Sequence, residues 1–292
     1  MTAVLPGDLG VGIGWRPQLA HLLAGLPDLR LSEVVAENLR PAHLPAALTD
    51  LTARGVTVIP HGVSLSLGGA EPVDRTRLSH LAACASALGA PLVSEHVAFV
   101  RAGGVEAGHL LPVPRTRDSL DVLCENIHVA QAELPVPLAL ENVAATLDWP
   151  DAQMDEAAFL AELVERTGVL LLLDVANLYA NARNHGYDAV TFLDTIPLDR
   201  VAYVHVGGGI EHDGLYHDTH AHPVPAAVLE LLTALCERRR PSGILFERDA
   251  AFPPEDVLRA ELAALARAAG RAASTAESTA ASQAGPGRDR DA

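Results

Sequence analysis

The chain has 292 residues, 49% hydrophobic and 20% charged, which suits one or two domains or a single barrel of roughly 250 residues. Acidic residues outnumber basic ones 37 to 21, and a formal charge of −16 excludes a nucleic-acid binder that relies on attraction to phosphate over its whole surface. Three scattered cysteines (Cys84, Cys124, Cys236) form no CxxC pair and no disulfide framework, the N-terminus carries no basic and apolar leader, and no apolar run nears ~18 residues, so a cytoplasmic protein with no membrane partner is expected.

In chain order, short runs rich in Val, Ile and Leu alternate with longer stretches of helical period. LGVGI (9–13), LSEVVA (31–36), VTVIP (56–60) and PLVSEH (91–96) read as the first four strands, and 44–55 and 74–89 as helices between or after them. PLALEN (137–142), VLLLLD (169–174), RVAYVHV (200–206) and GILFE (243–247) continue the series, with helical stretches at 116–134 and 155–168. The last helix, 254–270, opens on Pro with Glu and Asp in its first turn. Apolar runs without strict alternation suit parallel strands covered on both faces. Eight strand–helix units predict a single α/β domain, a (β/α)8 TIM barrel, over residues 1–270; a doubly wound open sheet is the other topology compatible with the pattern. Residues 271–292 are rich in Ala, Ser and Thr and read as a disordered C-terminal tail.

A parallel barrel places its chemistry at the C-terminal ends of its strands. There the sequence sets His61 after strand three, His96 on four, Glu141 on five, Asp174 on six, His205 on seven and Glu247 on eight. Asn177 and His185 follow strand six, and a cluster from Tyr216 to His220, with Asp218 and His220, follows strand seven. Taken singly, each has an ordinary explanation: a histidine at a strand end is commonly structural, an Asp caps a helix, and Glu247 can pair with Arg248. The set has none, because carboxylates gathered at an apolar strand end are costly unless cations lie between them. Imidazole with carboxylate and no thiolate suits iron, zinc or manganese. There are more ligands than one ion can use, so two or three ions are expected, with a carboxylate such as Glu141 as bridge. Gly207-Gly208-Gly209 is expected to let a loop pass close to the site.

The motifs IPHGVSLSLGG, PLVSEHVAF, LALENVAA, LLLLDVANLY with ARNHGYD, YVHVGGG, YHDTHAHPVP and ILFERD, in that order, resemble the multinuclear non-heme iron-dependent oxidative enzymes, long grouped as uncharacterised protein family 0276. The resemblance runs from about residue 8 to about 270, and the layout is similar to the wider xylose isomerase-like superfamily. It implies three metal sites: His61, His96 and Glu141; then Glu141 with Asp174, His205 and Glu247; then Asp218 and His220 with His185. Asn142, Asn177 and Arg248 match supporting or weak-ligand positions. Ala176, the glycines after His205, and Arg248 depart from residues common in relatives. The implied activity is oxidation, with dioxygen and two or three iron ions (Fe2+/Fe3+), of cysteine residues in a ribosomally synthesised precursor peptide. A separate leader-binding partner protein is implied too. Two other classes remain open: a metal-dependent hydrolase or isomerase of the same barrel, such as an endonuclease IV-like phosphodiesterase, and a non-enzymatic metal-binding protein. Acidic rim residues Glu211, Asp213 and Asp218 oppose a grip on DNA, and the absence of Lys opposes the usual sugar-isomerase scheme.

Overall fold

The computed structural model describes residues 7–271. The expected tail therefore lies, from 272 onward, outside the described residues. Eight parallel strands close into a barrel: β1 (Gly10–Gly14), β2 (Leu31–Val35), β3 (Thr57–His61), β4 (Val93–His96), β5 (Leu138–Glu141), β6 (Leu170–Asp174), β7 (Val201–Val206) and β8 (Gly243–Phe246). Each strand pairs with its neighbours in sequence, and β1 closes the ring against β8. This is the TIM barrel expected, not the open sheet. His61 ends β3 rather than following it, and Glu247 stands one residue beyond β8.

Helices form within the five stretches read as helical from the sequence, and others lie in stretches not singled out there. In all, the helices include α1 (Ala20–Ala24), α2 (Ala46–Ala53), α3 (Arg75–Leu88), α4 (Arg117–Glu133), α5 (Glu156–Thr167), α6 (Val175–His185), α7 (Ala189–Thr195), α8 (Ala226–Arg238) and α9 (Glu255–Ala268). Polar side chains start several of them: Asp74, Thr116, Asp155 and Asp174 each accept a hydrogen bond from a first-turn N–H. Two antiparallel hairpins, Ala98–Ala102 with Val105–Pro112 and Gly209–His212 with Leu215–Asp218, interrupt the strand–helix alternation after β4 and β7. The segment around Tyr216, which the sequence places after strand seven, is thus mostly a hairpin strand.

Apolar burial is divided in two. One large cluster lies between strands and helices and includes Ile13, Val34, Val58, Leu140, Leu171 and Ile244. A smaller one, with Leu31, Ile59, Leu92, Leu172, Tyr203 and Leu245, fills the barrel interior. Side chains alternate along a strand, so residues two apart share a face. Ile59 and His61, Leu172 and Asp174, and Tyr203 and His205 are such pairs, and each carries a polar group one pleat above an apolar or aromatic one. Register then sets neighbours side by side: His96 pairs with Glu141, and Asp174 with His205.

The barrel closes tightly at β1. A Cβ on Gly12 would stand 2.1 Å from the backbone oxygen of Leu31. Gly12→Ala should therefore push β1 and β2 apart and cost about 2–3 kcal/mol, the order of an overpacked core substitution. Urea unfolding monitored by circular dichroism checks this; an unchanged midpoint would contradict it.

Candidate metal centre

Six barrel strand ends and the hairpin loop after β7 bring eight ionisable side chains together in three adjoining groups. His61, His96 and Glu141 form the first; Glu141, Asp174, His205 and Glu247 the second; Asp174, Asp218 and His220 the third. Within each group, one ligand atom per residue lies within 4.8 Å of all the others. Glu141 belongs to the first two groups, and Asp174 to the last two. The six strand-end residues are buried, none more than 5% exposed. The His61 and His96 rings meet edge to face at 4.6 Å, and His61 lies 5.4 Å from His205.

Glu141 turns a different oxygen to each side. Its Oε2 lies 3.5 Å from His61 Nε2 and 3.3 Å from His96 Nε2, while Oε1 lies 3.3 Å from His205 Nδ1. Glu247 Oε2 stands between His205 Nδ1 at 3.1 Å and His220 Nε2 at 3.5 Å. Four buried carboxylate oxygens, Glu141 Oε2, Asp174 Oδ2, Asp218 Oδ1 and Glu247 Oε2, receive no hydrogen bond from the protein. Buried carboxylate oxygens are seldom left so, because the desolvation cost is not recovered. Two of them, Glu141 Oε2 and Glu247 Oε2, face imidazole nitrogens, an arrangement a cation would complete, and the residues fit a multinuclear metal site.

The proton affinities follow from this crowding. Burial, with His96 next to it, depresses His61 to about 3. Burial also works against charging His96, but Glu141 and Glu95 overrule it and hold that ring up at about 9. Burial works against charging His205 and His220 too, but the carboxylates around them together overrule it and hold both well above the ordinary imidazole value: Glu247, Glu33 and Glu141 at His205, Glu247 and Asp218 at His220. Burial and the facing carboxylate of Asp218 drive Asp174 well above the usual range. Glu247 is driven well below it, against burial, by His205 and His220.

The third group is built by loops. Asp218 ends the second hairpin, and His220 adopts a left-handed backbone at φ 49°. His220 is clamped between Asp218, at 2.7 Å from Nε2, and Asp249, at 3.2 Å from Nδ1. The glycines before it make room: a Cβ on Gly207 would lie 2.7 Å from the His220 ring, and one on Gly208 2.1 Å from the backbone oxygen of His222. This is the close passage expected of that run.

His185 is not in the third group; Asp174 stands there instead. As the last residue of α6, His185 hydrogen-bonds through Nε2 to the Ala145 carbonyl at 2.8 Å. Asn177, four residues from Asn181 and eight from His185, does similar work, as its Nδ2 donates to the Asn142 carbonyl. Asn181 holds both Val143 O and Ala145 N. One face of α6 thus fastens the segment after Glu141. Asn142 ties β5 to β6 by two bonds to the backbone of Asp174. Arg248 pairs with Glu261 on α9 and lies over the Phe246 ring. Beside Asn142 opens a cavity of about 310 Å³ walled by Val97, Val113, Met154, Glu156, Phe159 and Tyr187.

Several residues of the site went unread in the sequence. Glu33, Ser94, Glu95, Tyr203 and Asn181 are buried and bonded to the centre or its supports. The available signal was a charge inside an apolar strand run: Glu33 in LSEVVA and Glu95 in PLVSEH break runs that otherwise read as core.

An eight-stranded barrel with a buried His/carboxylate cluster at its strand ends defines the class. The xylose isomerase domain protein of Planctomyces limnophilus matches this fold with a TM-score of 0.59 at 16% identity, over 90% of this chain and 97% of that one. The 3-keto-D-glucoside 4-epimerase of E. coli does so with a TM-score of 0.60 at 13% identity, over 90% of this chain and 100% of that one. Residues 10–270 match the family model described as RiPP precursor modification enzyme MbnB/TglH/ChrH (RiPP, a ribosomally made and later modified peptide), and the chain belongs to that family. A UPF0276 protein of Streptomyces avermitilis is 58% identical over 266 residues, covering 89% of this chain and 55% of the relative, so the chain spans about half of that protein's length. A UPF0276 protein of Caulobacter vibrioides is 39% identical over 260 residues, covering 87% of this chain and 91% of its own.

Metal uptake must displace the protons that His96, His205 and His220 hold at neutral pH in the metal-free protein. Affinity should therefore rise with pH, and loading at pH 7 should release at least two protons per chain. Calorimetry in buffers of different ionisation heat measures this number; a buffer-independent heat would contradict it.

Proposed function

We propose that this chain is a multinuclear non-heme iron oxidative enzyme that uses dioxygen to modify cysteine residues of a ribosomally synthesised peptide. The observation that supports it best is the set of donor-free buried carboxylate oxygens within three His/carboxylate groups joined by Glu141 and Asp174. Membership of a peptide-modifying family supplies the substrate class. Iron, when bound, supplies Lewis acidity, affinity for a soft thiolate and one-electron chemistry toward dioxygen.

The chain's own residues account for the rest. His61, His96 and Glu141 hold one ion; Glu141, Asp174, His205 and Glu247 hold a second. Asp174, Asp218 and His220 hold a third, with His220 on a loop and partly exposed. The strand-end ligands are rigid because register and the apolar interior fix them, whereas the third group depends on the hairpin and is the weakest. Glu141 offers a separate oxygen to each of its two groups, which keeps them at a fixed distance through one carboxylate. Burial excludes bulk water from the first two groups and strengthens every charge interaction there. The cavity lined by Asn142, the residue after Glu141 in the chain, gives room for a substrate side chain. The catalytic domain is residues 1–270. The precursor peptide is delivered by a separate leader-binding partner protein, and the work is done in the cytoplasm.

Protein loaded with Fe(II) under anaerobic conditions should retain two or three ions per chain and consume dioxygen with a cysteine-containing precursor peptide. Retention of zinc alone, with no iron uptake and no oxygen consumption, would favour a hydrolase and overturn the oxidative reading. Glu141→Gln should empty two groups together, and Glu247→Gln one, both with an unchanged circular dichroism spectrum. Equal loss of a single ion in both variants, read by elemental analysis, would refute the bridging role of Glu141.

A further inference from the structure

Beneath the candidate ligands lies a second polar layer that no ion would touch. Tyr203, one pleat below His205 on β7, is fully buried, as is Ser94, one pleat below His96 on β4; Glu33 on β2 is 2% exposed. These three form an unbroken hydrogen-bonded line between two histidines. His61 Nδ1 lies 2.8 Å from Ser94 Oγ, Ser94 Oγ 2.7 Å from Tyr203 Oη, and Tyr203 Oη 2.5 Å from Glu33 Oε2. Glu33 Oε2 is in turn 2.9 Å from His205 Nε2. His61 belongs to the first group and His205 to the second.

Counting protons gives the line a direction. Tyr203 has a single hydroxyl proton and two oxygen partners, and a carboxylate is the stronger acceptor. Its proton therefore goes to Glu33, and Ser94 must donate to Tyr203 Oη. With the Ser94 proton so committed, His61 Nδ1 has to be the N–H that donates to Ser94 Oγ. At the far end, His205 Nε2–H donates to the same Glu33 oxygen. That leaves a lone pair on His61 Nε2, toward Glu141, and makes His205 Nδ1, toward Glu141 and Glu247, the nitrogen whose proton an ion would replace. Those are the two nitrogens that face the cluster, and every donor in the line is used.

We propose that Glu33, Tyr203 and Ser94 are positioning residues that set the tautomer of His61 and the ring orientation of both His61 and His205, so that two metal groups on different strands are coupled through the barrel interior as well as through Glu141. The inference rests on the metal-centre reading above. Outer partners of histidine ligands typically change metal affinity by about 10- to 100-fold when removed. Tyr203→Phe keeps the ring and removes the acceptor for Ser94. The Ser94 proton then turns to His61 Nδ1 and drives that ring to its Nε2–H form, whose cluster-facing nitrogen has no lone pair. Glu33→Gln keeps the shape and one oxygen acceptor but removes the charge that His205 donates to.

The test uses the full chain and Zn(II) as a diamagnetic probe. Zn(II) affinity is measured by chelator competition, and the histidine tautomers by nitrogen chemical shifts of the metal-free protein. Tyr203→Phe should weaken one ion about tenfold and move His61 from the Nδ1–H to the Nε2–H form, with little change in melting temperature. Glu33→Gln should weaken the ion at His205 by a similar factor. If both variants bind every ion as the wild type does, or if His61 keeps the same tautomer in Tyr203→Phe, the coupling is refuted while the metal centre stands. If the wild type itself takes up no ion, the metal centre falls and this inference falls with it.

Discussion

The mutual dependence of buried charges at one end of an apolar barrel governs the molecule. An isolated carboxylate or imidazolium moved from water to such a place costs several kcal/mol after relaxation. The cost is tolerable only where opposite charges lie close together, and closeness here is a matter of strand register. His96 sits beside Glu141 and Asp174 beside His205 because the backbone ladders hold them there. A one-residue slip would send these side chains to the helix-facing side. The apolar layer of Leu31, Ile59, Leu172 and Leu245 closes the barrel below the polar one and keeps water from solvating the charges from beneath.

Around this centre the work is divided by element. Strands hold the rigid ligands and, one pleat lower, the hydrogen-bonded line through Tyr203. Helix α6 holds the segment after Glu141 through Asn177, Asn181 and His185, a row at four-residue spacing that faces one way on a helix. The loop after β7 contributes His220 only because three successive glycines allow the chain to fold back on itself. The side chains that brace the cluster thus come partly from the same strands, one pleat lower, and partly from α6 and β2.

The barrel was legible in the sequence because parallel strands covered on both faces are written as plain apolar runs, and eight of them recur with helical stretches between. The strand-end cluster was legible for a related reason: a His, Asp or Glu that terminates such a run is conspicuous. His220 and Asp218 could be found from the spaced Asp-x-His pattern, although their hairpin was not foreseen. His185 was expected to join them, yet it is spent on the Ala145 carbonyl, and Asp174 reaches the third group from the strand instead. Whether a residue faces an ion or a backbone oxygen depends on helix phase relative to the sheet, which linear order does not carry. Glu33, Ser94 and Tyr203 were hidden inside runs that look like core, since their partners lie 33 to 172 residues away in the chain.

Asp174 carries two duties with its two oxygens. Oδ1 accepts the Asn177 N–H and so starts α6, while Oδ2 is left for the centre. The first turn of a helix and the electrostatics of a buried cluster thus share one side chain. Any change in the cluster that draws Asp174 forward must loosen the cap, and any fraying of α6 must slacken the carboxylate. Because α6 also fastens the segment after Glu141, that slack would reach the other shared carboxylate along the helix. The exchange rate of a single amide proton, that of Asn177, would then register the state of the whole centre from a position outside it.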